Sequence, residues 1–67
     1  MKQKVMVRAK NAKIYIIEAL VQIYRYQPDT EGKQKIRYTL VELLKNENED
    51  PDVRAAAAWA IGELNDS

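Results

Sequence analysis

Apolar side chains recur along this chain at steps of three and four residues in three stretches, divided by two short polar breaks. In the first stretch Val5, Ala9, Ala12, Ile16, Ala19, Ile23 and Tyr26 form one seam. From Ile14 onward two further rows appear, Ile14 with Val21, and Ile17 with Leu20 and Tyr24, so that only Glu18, Gln22 and Arg25 remain as a polar stripe. The pattern predicts a helix over residues 4–26. A helix apolar around most of its circumference must be covered on several sides. The second stretch predicts an ordinary amphipathic helix over residues 32–45. Its core stripe is Ile36, Leu40, Leu43 and Leu44, and its polar side is Lys35, Thr39, Glu42 and Asn46. The third predicts a helix over residues 51–64 with Val53, Ala56, Ala57, Ala60, Ile61 and Leu64 facing inward. Its alanines allow close approach of a neighbouring helix. Trp59 falls on the outer row with Asp52, Ala55 and Glu63, and Gly62 is expected to sit where another helix packs closely.

The breaks carry recognisable stop and start signals. Gln27, Pro28, Asp29 and Thr30 combine a proline with two good N-cap types. Asp50-Pro51 is an N-cap followed by proline at the first helical position, where the missing N–H costs nothing. Asp52 adds negative charge to that first turn, which suits the helix dipole.

Composition changes the picture in one respect. The chain has 67 residues, two glycines, two prolines and no cysteine or histidine. Few turn-formers agree with an all-α fold. A core of this size rarely supplies more than ~3–5 kcal/mol. No disulfide can supplement it and the usual thiolate and imidazole ligands of a zinc site are absent, so helix packing and association are the expected supplements. No apolar run approaches the ~18 residues of a membrane span, and the absence of cysteine makes a cytoplasmic setting the default expectation.

Charge is unevenly placed. Residues 1–37 sum to +6 and residues 38–67 to −5; two solvated faces of unlike sign are the expected reading, with head-to-tail self-association or binding to an acidic surface as the functional alternative. Candidate chemistry is sparse. Histidine and cysteine are absent and Ser67 is the one serine, so no nucleophile–base–acid set can be assembled and an enzyme is not expected. No cofactor is expected. Glu47, Glu49, Asp50 and Asp52 cluster without the glycine and ligand spacing of a calcium loop, so capping and solvation are their expected roles. Lys4, Arg8, Lys10 and Lys13 make a basic start to the first helix and are the candidate phosphate contacts of a nucleic-acid reading.

Residues 50–66, DPDVRAAAAWAIGELND, follow the pattern D-P-x-V-R-x-A-A-A-x-A-L-G-x-L-x-D, and the stretch from Ile36 to Lys45 precedes them, where an I-x-x-L-x-x-L-L-K pattern is expected. This half of the chain, residues 33–66, resembles the HEAT-like repeat family, in particular its short phycobilisome-lyase-type repeats. The resemblance implies an α-solenoid piece in which Asp50, Pro51, Arg54 and Gly62 are structural, with the arginine bonding within or between repeats. Shifting the third helix back by 41 residues sets Val53, Ala57, Ala60 and Leu64 on Ala12, Ile16, Ala19 and Ile23. A divergent first repeat helix is thereby expected, in an A–B–A order of one and a half repeats. Repeat units of this kind cannot bury their faces alone, so the third helix should show an open flank, closed by a second copy or by the rest of a larger protein. The expected function is a non-catalytic protein-interaction module that self-associates, most simply as a homodimer. Ile14, Ile17, Val21, Tyr24 and Trp59 are the candidate interface residues. Nucleic-acid binding through the basic helix is the alternative, and an accessory role in tetrapyrrole attachment, implied by the resemblance alone, is the third.

Overall fold

The computed structural model describes residues 2–66, with side chains from Val7 onward. Among the described residues there are three helices and no strand: α1 (Lys2–Tyr26), α2 (Thr30–Lys45) and α3 (Pro51–Asn65). No helix of the described residues is long and apolar enough to cross a membrane.

The helix boundaries follow from local chemistry. Pro28 disfavours helical geometry at the residue before it and ends α1. Asp29 caps α2, its Oδ1 accepting from the Glu31 N–H at 3.2 Å and its carbonyl accepting from the Lys33 N–H at 3.0 Å. These two bonds start α2 at Thr30, two residues earlier than the apolar pattern suggests. Gly32 therefore lies within the first turn, where the Gln27 side chain folds over it. A Cβ there would meet Gln27 Nε2 at 2.8 Å. Asp50 caps α3 in the expected way, with its Oδ1 accepting from the Asp52 N–H at 2.8 Å and Pro51 opening the helix.

α3 packs against both other helices, while α1 and α2 touch each other little. Ion pairs tie Lys10 to Asp52 and Arg25 to Glu63, so α1 and α3 run in the same direction, offset by about the 41-residue shift that aligns their patterns. Arg37 reaches Asn65 and Arg54 reaches Leu44, so α2 runs antiparallel to α3. This is an all-α, A–B–A piece of a helical solenoid, with the second A helix stacked on the first.

The core is Ile17 and Val21 from α1, Ile36 and Leu40 from α2, and Val53, Ala57, Ala60 and Leu64 from α3. Ile14, Leu20 and Tyr24 pack against it. The expected inward face of α3 is therefore the observed one. The face of α1 is not. Ile17 and Val21 are each 1% exposed, and with Ile14 and Tyr24 they close the interior instead of forming an outer interface. The long seam turns outward: Ile16 is 55% exposed, Ile23 50% and Tyr26 83%. Ala9 and Ala12 are exposed with them, whereas Val5 lies outside the described side chains. The reason is bulk. The seam is half alanine, whereas Ile14, Ile17, Leu20, Val21 and Tyr24 remove more apolar area from water when they turn inward. Against them α3 sets the small side chains Ala57 and Ala60, both fully buried, and so the two axes can approach closely.

A candidate protein-interaction surface

Two apolar surfaces are left open. On α1, Ala12, Ile16, Ile23 and Tyr26 form an exposed row, and its C-terminal end lines a shallow concavity with Gln22 and Gln27. On α3, the face opposite Val53 and Leu64 carries small residues and one tryptophan. Ala55, Ala58, Trp59 and Gly62 are all exposed there, and Trp59 leaves about half its surface in water, as its outer-row position predicts. Among the described residues no helix packs on Gly62. A Cβ built there would meet nothing within 4 Å, because Gly62 points away from both α1 and α2. The close neighbour expected at Gly62 is thus missing from the fold of this chain.

Several polar residues beside these surfaces pair within the chain. Lys10 Nζ lies 3.0 Å from Asp52 Oδ2, and Lys13 Nζ 3.1 Å from Glu49 Oε2. The hydrogen bond to Asp52, helped by the nearby Asp50 and Asp52 charges, raises the Lys10 pKa above 10.5. The Glu49 pKa is lowered below 4.5, first by the Asp50 N–H that its carboxylate accepts at 3.0 Å and then by Lys13. Two of the four candidate phosphate contacts are therefore engaged with carboxylates of this chain. Arg8 is exposed, and the Lys4 side chain lies outside the described residues. Arg54 takes the structural role expected of it. Its Nε donates to the Leu44 carbonyl at 3.0 Å, satisfying an orphan acceptor at the end of α2. Tyr24 is held by Arg37, which donates to its hydroxyl at 3.2 Å, with Lys33 Nζ over the ring at 5.3 Å.

The lowered Glu49 pKa sets an acid dependence. A carboxylate whose folded pKa lies below its unfolded one stabilises the fold above the unfolded value, and this contribution disappears as pH falls through the folded value. In Glu49→Gln the side chain no longer titrates. The gap in thermal midpoint between wild type and Glu49→Gln should therefore be widest near neutrality and should close below pH ~4.5, near the ordinary carboxylate value. A gap that stays constant with pH would show that Glu49 does not titrate with folding.

Ile17 and Val21 are buried inside this chain and Ile14 and Tyr24 are half-buried against its core. Of the five candidate residues only Trp59 stands on an open surface. The exposure of Ile16, Ile23 and Tyr26 is not legible in the pattern, because a long apolar seam reads as core. The signal that could have found them is relative bulk: of two apolar rows on one helix, the row with fewer alanines wins the interior.

The segment that carries nearly all of α3 and the last seven residues of α2 is similar to known repeats. Residues 39–64, less than half of the chain, match the Armadillo/beta-catenin-like repeat family. Armadillo-type and HEAT-like repeats are both stacked helical units, so the match supports a helical repeat, without reaching the phycobilisome-lyase type in particular. No curated protein and no solved structure matches the chain significantly.

Proposed function

We propose that this chain is a non-catalytic protein-interaction module of the helical-repeat kind, and that it associates with itself through the outward row of α1. One observation carries the reading. Ile16 and Ile23 each leave about half their surface in water on the same face, next to Tyr26, in a chain whose interior is already filled by the other α1 row. Covering the rest of each isoleucine contributes on the order of 1 kcal/mol. Armadillo-type repeats generally mediate protein interactions, which supports the same reading. Nucleic-acid binding is less well supported, since Lys10 and Lys13 already face carboxylates.

Sedimentation of the wild type should show mass rising with concentration in the micromolar range. Ile16→Glu with Ile23→Glu should sediment as a monomer with an unchanged helical circular dichroism spectrum, because exposed substitutions seldom change stability by more than ~0.5 kcal/mol. A wild type that stays monomeric throughout would refute self-association.

A further inference from the structure

The two open surfaces are related to each other by the register that builds the fold. Inside the chain, α1 meets α3 through Ile14, Ile17 and Val21 on one side and Val53, Ala57, Ala60 and Leu64 on the other. Adding 41 to the first set gives Ala55, Ala58 and Gly62, the exposed face of α3. Subtracting 41 from the second set gives Ala12, Ile16, Ala19 and Ile23, where Ala12, Ile16 and Ile23 are exposed and Ala19 half-buried. Each buried face thus has its repeat equivalent on the open surface of the other helix. We infer that the outer face of α3 in one copy receives the outward α1 row of the next, so that copies stack head to tail and in parallel, as α1 and α3 already do within one chain.

Side-chain size supports this pairing. Within the chain, large residues on α1 meet small ones on α3. Between copies the order reverses, and Ala58 and Gly62 would meet Ile16 and Ile23. The open space at the Gly62 Cβ position is what close approach by a bulky row requires. Pairing two α1 rows would instead set isoleucine against isoleucine and leave the α3 face uncovered.

Charge supports the same occupant. In this register the basic start of α1, with the exposed Arg8, lies level with the α2–α3 turn of the neighbouring copy, which carries Glu47, Glu49 and Asp50. Glu49 already pairs with Lys13 of its own chain, so the complementarity across the contact rests on Arg8 and Glu47. A heterologous contact of this kind does not close on two copies. It continues into open chains or larger rings.

This inference rests on the self-association proposed above, and the test separates the two. Ile16→Glu with Ile23→Glu blocks the α1 row, and Ala58→Glu with Gly62→Glu blocks the α3 face. Each double variant alone should be a folded monomer, with association weakened more than about a hundredfold by the buried charges. Mixed, the two variants should form a one-to-one complex and nothing larger, since each retains the surface the other has lost. Wild type should grow beyond a dimer as concentration rises, and the emission of Trp59, the single tryptophan, should shift to the blue as it does so. If the α3 variant associates as wild type does, or the mixture stays monomeric, head-to-tail stacking is overturned while self-association through α1 stands. A monomeric wild type overturns both.

Discussion

Leu40→Ala is expected to leave most of the chain unfolded at room temperature. Leu40 is fully buried and sits in the core cluster, where α2 meets α3. Removing a leucine from such a site costs ~2–5 kcal/mol, the larger figures applying where the surroundings cannot collapse into the cavity. Collapse is limited here because the α3 residues Ala57 and Ala60 in the same core are too short to fill the space. A chain of this size has about 3–5 kcal/mol in total, so one truncation consumes most of its stability. Urea titration followed by circular dichroism, at concentrations too low for association to stabilise the fold, provides the check. A cooperative transition close to that of wild type would mean that the core is not centred on Leu40.

Ile17→Glu should unfold the chain, whereas Ile16→Glu should leave its helices intact and remove association. The two positions are neighbours, turned about 100° apart around α1. Ile17 is 1% exposed and Ile16 55%. A glutamate at 17 would place a carboxylate among the apolar side chains of all three helices, and no buried polar group there could receive it. An unpaired buried charge costs several kcal/mol, more than the fold has to spare. At position 16 the same carboxylate would stand in water. The comparison holds charge, residue type and helix constant and changes only which row is substituted. Helical content and sedimentation read the two effects separately. If Ile17→Glu stayed folded and lost association, the inward and outward rows of α1 would have to be exchanged.

Much of the architecture can be read from residues close together in the chain. The three helices and their order, the break at Pro28 and the cap at Asp50-Pro51 rest on side chains acting within about one helical turn. α2 begins two residues before its apolar pattern does, because Asp29 supplies the capping oxygen and apolar periodicity has nothing to say about caps. The inward face of α3 was legible for a related reason. That helix has one apolar face of full-sized side chains and alanines, and the opposite face offers only small residues and Trp59. The structural use of Arg54 was legible through its resemblance to a repeat motif, although its partner, the Leu44 carbonyl, was not.

The candidate site was legible only in part. Trp59 and the open flank of α3 follow from its pattern, but the choice between the rows of α1 does not. Both rows share the helical period, so periodicity assigns them equally to the interior. Their assignment rests on contacts between residues far apart in the chain: Lys10 with Asp52, Lys13 with Glu49, Arg25 with Glu63, and bulky α1 side chains against the alanines of α3. Helices, breaks and caps are settled locally, by hydrogen bonds and backbone preference within a turn or so. Which side of a two-faced helix stays in water is settled by the neighbour that covers the other side, and in this chain that neighbour lies some 40 residues away.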